Sequence, residues 1–182
     1  VESLVRTDIV QQIALGGDLA CWDGIGGTQP LGIRNDALWA NGGTYATNIG
    51  GAITFDLLKD AQTLIEARNA TFNAWITTPT VAGYLRKKKN SVNDYLWADD
   101  PTVGAPPRLL SLPLFTSGQI TAGEMMLGDF NQFVIAEGGP IEIQVLREAD
   151  AKELKVDLLA VTRMDCAARQ SACFQRLYGI TS

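Results

Sequence analysis

Four glycines punctuate the stretch DGIGGTQPLGI, Asp23–Ile33. Glycine-rich turns can do phosphate chemistry: without a Cβ, backbone N–H groups converge on an anion at a helix N-terminus. A dinucleotide fingerprint needs G-x-G-x-x-G between a strand and a helix. Gly24 and Gly26 begin it, but Gln29 stands at the third glycine. Gly27 and Gly32 have the spacing of a Walker loop, but Ile33 replaces the lysine. The residues before the loop read as helix. The loop is therefore expected to be a helix exit whose glycines supply positive φ.

Nucleophilic and metal chemistry also lack parts. The chain has 182 residues and no histidine, which removes Ser-His and Cys-His systems and the commonest metal ligand together. Asp99, Asp100, Asp129 and Glu137 are cation ligands by type, but their spacing matches no EF-hand loop. The expectation is no catalytic residue, no cofactor and no metal. Cys21, Cys166 and Cys173 are odd in number and lack paired spacing, which argues against a disulfide framework. Cys21 and Cys173 sit among apolar residues and are expected as buried thiols, fitting a reducing compartment. The basic run Arg86–Lys89 reads as a solvated helix end suited to the C-terminal dipole. Trp75, Tyr84, Tyr95 and Trp97 read as core or interface residues.

The formal net charge is −5. Proteins that grip nucleic acid by charge carry a basic excess, so at most weak, non-specific DNA contact is expected. No apolar run nears the roughly 20 residues that cross a bilayer, so no membrane partner is expected. The apolar share of 46% and the charged share of 19% are those of an ordinary globular chain. The chain opens at Val1 with no signal-peptide pattern and with a helical pattern already running, which reads as a processed chain or an excised fragment.

These elements must position any site. Residues 1–20 read as a helix with Leu4, Val5, Ile9, Val10 and Ile13 on one face, weakened by Gly16 and Gly17. Residues 34–53, rich in Gly, Asn and Thr, read as irregular surface chain. A second helix follows, capped by Thr54, with Asp56 in its first turn, a buried stripe of Leu57, Leu58, Ala61, Leu64 and Ile65, and a stop at Asn69. TFNAWITTP alternates as a strand, and Thr78–Pro79 starts a third helix through RKKK with Val81, Ala82 and Leu85 inward. LLSLPLFTS reads as one strand, with Pro113 marking an edge or bulge. EMMLGDF and QFVIAEG read as two short strands. IEIQVLRE and ELKVDLLAVTRMD alternate as a long antiparallel hairpin, and ACFQRLYG as a last strand. The result is an α+β domain with no credible active site. Its arm-like hairpin is of more use packed on other chains than in a compact monomer.

The order of these pieces resembles the major capsid protein family of tailed phages, with its Hong Kong 97-like fold. LACWDGIGGTQPLGI is similar to the family's end of the spine helix, with Gly24, Gly26, Pro30 and Gly32 carrying the likeness. WITTPTVAGYLRKKKNSVNDYLW resembles its strand, Thr-Pro, helix and Y-L-W run. PPRLLSLPLFTSGQI resembles its L-x-G-x-P-V strand, with Ser111 where glycine is usual. LGDFNQFVIAEGGPIEIQV is similar to its G-D-F-S-x-Y-x-I segment and the hairpin that follows. The likeness spans nearly the whole chain, in order.

The resemblance implies two lobes: a peripheral lobe of residues 1–33 and 140–166, holding the spine helix and long hairpin, and a mixed α/β axial lobe of 34–139 and 167–182. The family's N-terminal arm and extended loop are not in the sequence. The covalent Lys–Asn bond of some members is not carried over, because the lysine belongs to that loop and the asparagine position falls near Asp157. The implied role is a self-assembling shell subunit around DNA, made in the bacterial host cytoplasm and residing in the virion capsid, with scaffold or portal proteins as further partners. Candidate subunit contacts are the hairpin tip, Ala149, Asp150, Ala151 and Lys152, at local threefold axes. The loop at Asp99, Asp100, Pro101 and Thr102 is the candidate near the capsomer axis. The alternatives are the related shell of an encapsulin-type nanocompartment and a small-molecule enzyme on another α+β fold, which would need a polar pocket with titratable groups.

Overall fold

Helix α1 (Glu2–Asp23) leads the chain in the computed structural model, which describes residues 2–89, 93, 95, 97, 107–146 and 157–181. At 22 residues it is about 33 Å long. The expected single apolar face divides. Val5, Ile9 and Ile13 are half-buried, while Leu4 is 73% exposed and Val10 also faces out. One helix position is a 100° turn, and α1 meets its own chain along a narrow stripe only. Gly17 belongs to that stripe for a packing reason: a Cβ there would stand 3.0 Å from Met164 Sδ.

The core is a six-stranded sheet in the order β1-β10-β5-β2-β4-β3. Its strands are β1 (Ala46–Ala52), β2 (Ala74–Thr77), β3 (Arg108–Leu109), β4 (Leu112–Thr116), β5 (Met125–Gly128) and β10 (Phe174–Thr181). Trp75 on β2, Met125, Met126 and Leu127 on β5, and Phe174 and Leu177 on β10 are fully buried. The middle strands are thus covered on both faces. Helix α2 (Phe55–Glu66) is capped by the Thr54 side chain, which accepts from the Leu57 N–H. Helix α3 (Pro79–Arg86) is capped by Thr78, which accepts from the Val81 N–H. Leu58, Ala61 and Ile65 of α2, and Val81, Ala82 and Leu85 of α3, pack inward.

Four expectations need correction here. Residues 34–53 are not wholly irregular: β1 pairs parallel with β10, from Ala46 opposite Arg176 to Ala52 opposite Thr181, with a bulge between Asn48 and Gly51. Its glycines and asparagine carry no strand propensity, so the partner strand makes the strand. LLSLPLFTS is two strands. The β3–β4 hairpin turns at Leu110 and Ser111, both left-handed at φ 50° and 69°, and Pro113 lies opposite Arg108 near the sheet edge. Leu64 of α2 is exposed rather than part of the buried stripe. Helix α3 ends at Arg86, before the lysines.

The remaining strands make a separate two-stranded ribbon. β6 (Phe133–Glu137) pairs antiparallel with β9 (Met164–Ala168), and β7 (Glu142–Leu146) with β8 (Asp157–Val161). The antiparallel pairing expected from alternation is present over β7 and β8, the turn between them lies outside the described residues, and the base is longer than the alternation revealed. Between the two ladders the Gly138 N–H donates to the Arg163 carbonyl at 2.8 Å.

Candidate functional site

The glycine loop after α1 is a folded-back turn whose base is closed by backbone hydrogen bonds. Ile33 and Arg34 N–H donate to the Cys21 and Trp22 carbonyls, each at 3.0 Å, and Gly32 N–H donates to the Gly24 carbonyl at 2.9 Å. Helix C-termini leave such carbonyls open. The fit is close: a Cβ on Gly24 would lie 2.2 Å from the Pro30 oxygen, and one on Gly32 2.5 Å from the Gly24 nitrogen. Gly26 and Gly27 have φ of 78° and 81°, the region glycine enters without a steric penalty. The loop also lies at the negative end of the α1 dipole, which disfavours phosphate. The helix-exit reading holds.

A chain of alternating charges lies behind this loop, and sequence reading missed it. Arg34 Nη1 pairs with Asp23 Oδ1 at the end of α1, and Arg34 Nε donates to Glu124 Oε1 at 3.0 Å. Arg176 Nη2 donates to the same oxygen, and its Nε donates to Glu124 Oε2 at 3.2 Å. Arg176 Nη1 then donates to the Trp39 carbonyl at 2.7 Å and to Asn41 Oδ1 at 3.2 Å. Asn35 Nδ2 closes the other end on the Asp23 carbonyl at 2.9 Å. Glu124 and Arg176 are buried, so each needs the other's charge. For Arg34, desolvation pulls the guanidinium pKa down, but hydrogen bonds to Asp23 and Glu124 outweigh it and the net shift is upward. Both Glu124 oxygens accept from an arginine, and two carboxylates balance two guanidinium groups. The arrangement ties the end of α1, through Arg34 and Glu124, to Arg176 on β10.

The other chemistry-bearing residues are also structural. Asp129 is buried and accepts from Asn73 Nδ2 at 2.9 Å and from the Asn131 N–H at 3.1 Å, closing the turn between β5 and β6. Glu137 lies at the end of β6, opposite Met164. Among the described residues no three His, Cys, Asp or Glu side chains gather as a metal set. Arg86 Cζ sits 5.4 Å from the Trp97 ring centroid, and Lys89 Nζ 4.7 Å from that of Tyr95. Trp75 and Trp97 are buried, Tyr84 is half-buried and Tyr95 is exposed. All three thiols are free and buried. Burial raises the Cys21 pKa and pushes Cys166 up to about 12.

What the described surface offers is apolar area. On α1, Leu4, Leu15 and Leu19 are exposed. Counted at 100° per residue, they share one stripe within about 60°. Ile25 and Leu31 are exposed on the exit loop, and Val134, Ile135, Ile141, Leu159 and Val161 on the ribbon. A groove of about 260 Å³ runs where α1, β4 and β6 approach, lined by Trp22, Ile76, Phe115, Phe133 and Ile135 among others. This pattern is suited to association rather than to turnover. The expected contact residues, Ala149–Lys152 and Asp99–Thr102, lie outside the described residues.

The model of the phage capsid family matches residues 1–178. No curated protein matches the chain. Among solved structures, the capsid of an empty GTA particle, computed with C5 symmetry, superposes with a TM-score of 0.78 at 23% identity, over 100% of this chain and 67% of that one. The holo-SrpI encapsulin complex of Synechococcus elongatus PCC 7942 gives 0.67 at 14% identity, over 97% and 64%. A chain of Gordonia phage Cozz gives 0.71 at 14%, over 99% and 63%. The chain thus spans about two thirds of the length of these solved relatives.

Proposed function

The chain belongs to the phage capsid family, and on that premise we propose that it is a structural subunit of an icosahedral virion shell that encloses DNA. Its fold is Hong Kong 97-like, as in the solved capsid chains it superposes on. The observation that carries the reading is the uncovered apolar surface of α1 and the ribbon. A lone soluble domain rarely leaves so much of one region apolar, whereas a subunit covers it with copies of itself. The function is association and not catalysis.

The proposed peripheral lobe joins residues 1–33 to the ribbon, and the axial lobe is the sheet with α2 and α3. Pairing of β6 with β9 supports placing the ribbon's base at Phe133 and Ala168 rather than at residues 140 and 166. The tip at Ala149–Lys152 and the loop at Asp99–Thr102 remain the proposed contacts at the threefold and capsomer axes. Scaffold and portal proteins are proposed partners during assembly in the host cytoplasm. Contact with the packaged DNA is proposed to be weak and non-specific, as the net charge of −5 favours. A second reading, a nanocompartment shell, rests on the likeness to the encapsulin, which is weaker than that to the GTA capsid.

Electron microscopy of particles purified from expressing cells tests the reading. Closed shells of uniform diameter are expected. A chain that stays monomeric at high concentration under all conditions would overturn it, and shells packed with a protein cargo instead of DNA would favour the second reading.

A further inference from the structure

Helix α1 and strand β9 meet in step. Gly17 and Cys21 are one helical turn apart, about 6 Å along the axis, and Met164 and Cys166 are two strand residues apart, about 6.6 Å. Met164 Sδ approaches the place of the missing Gly17 Cβ to 3.0 Å. One repeat along, Cys21 and Cys166 are side-chain neighbours, close enough for each to shift the other's proton affinity. Both residues are buried, at 9% and 6% exposure, and Cys166 Sγ also lies 3.9 Å from the Leu31 carbonyl. Cys21 lines the groove beside Asp18 and Trp22, so a small solute that enters the groove meets this residue. Cys173 packs within the core of the sheet instead.

We propose that Cys21 and Cys166 are a disulfide-forming pair that rivets the end of α1 to the base of the ribbon when the protein meets a hydroperoxide. Cys21, reached through the groove, attacks a peroxide oxygen as its thiolate. The O–O bond breaks, water leaves after protonation, and Cys21 becomes a sulfenic acid, oxidised by two electrons. The Cys166 thiolate attacks the Cys21 sulfur, the S–S bond forms, the S–O bond breaks, and the oxygen leaves as a second water. Two thiols and one hydrogen peroxide thus give one disulfide and two waters. Burial holds both sulfurs as thiols, with Asp18 and Asp165 adding negative charge near Cys21 and Asp165 near Cys166. The step is therefore slow at neutral pH and suits the oxidising surroundings of a released particle more than a reducing cytoplasm. The cross-link joins residues far apart in the chain, where restriction of the unfolded state is largest.

The test is hydrogen peroxide treatment of the native protein at about pH 8, where thiolates become more abundant, then alkylation and non-reducing peptide mapping. Thiols titratable after denaturation should fall from three to one. The survivor should be Cys173, and one peptide pair should carry the Cys21–Cys166 bond. The melting temperature should rise and return on reduction. Cys166→Ala should instead leave Cys21 as a sulfenic acid that a dimedone probe captures. Bonds to Cys173, oxidation without a cross-link, or no reaction before unfolding would each overturn the proposal. Mapping uses the unaltered chain, so its outcome stands even if the variant folds poorly.

Discussion

The six-stranded sheet and the helix–ribbon region are built from similarly apolar sequence but end in opposite states. On the sheet side, β2, β5 and β10 are covered on both faces, and Trp75, Met125, Met126 and Leu127 have no exposure. On the other side, α1 supplies Trp22 alone to the main buried cluster, and no described residue of the ribbon strands is a fully buried member. Of the exposed large apolar side chains among the described residues, only Leu64, Tyr95 and Phe115 lie outside α1, its exit loop and the ribbon. The sheet is complete within one chain. The helix and ribbon keep apolar surface that no described residue of this chain covers, and the buried charge chain joins the two regions.

The largest break in this contrast should come at the junction. Glu124→Ala leaves Arg176 buried without its carboxylate partner and leaves Arg34 with Asp23 alone. It should cost about 3–5 kcal/mol of folding stability in denaturant titration. A loss below about 1 kcal/mol would mean that water replaces the carboxylate and that the two regions are not tied there. Next comes the exit loop. Gly32→Ala drives a Cβ to within 2.6 Å of the Trp22 carbonyl, and it should cost about 1–3 kcal/mol. Gly16→Ala, with open space around it, should be neutral or stabilising by up to about 1 kcal/mol. Comparing their melting curves separates close packing from helix propensity.

Alkaline pH sharpens the contrast further. Cys166 holds its proton more tightly folded than unfolded, because burial raises its pKa to about 12. Its contribution to stability is whole below the ordinary thiol range. It is lost as pH rises from that range towards 12. The midpoint of unfolding should fall across this window, and less steeply in Cys166→Ala. An equal slope in both proteins would remove the thiol from the account.

The two regions also differ in how legible they are in the sequence. Both caps, Thr54 and Thr78, the inward residues of α3, and the strands β2, β5, β6 and β10 follow from local chemistry and alternation, and the sequence shows them. β1 is hidden because Gly50, Gly51 and Asn48 become strand only against β10. The β3–β4 turn is hidden because Leu110 and Ser111 take the left-handed conformation without the usual Asn-Gly signature. The inner stripe of α1 is ambiguous because its apolar and polar residues are both spread around the helix, and sequence cannot say which side its own chain covers. The charge chain is invisible for another reason: Arg34, Glu124 and Arg176 are far apart in sequence and converge only on folding. The glycine loop was legible because its failures, Gln29 and Ile33, are local.

The smallest expected effect on folding is the most telling for function. Leu15→Gln combined with Ile135→Gln changes one exposed side chain on α1 and one on the ribbon. Shell yield of this double variant, measured by sedimentation beside the melting curve of its dissociated subunit, tests most directly whether copies of the chain cover that surface. The yield should fall at least about tenfold, equivalent to about 1.4 kcal/mol, with subunit stability within about 0.5 kcal/mol of the parent. Undiminished shells would contradict coverage of that surface by copies of the chain.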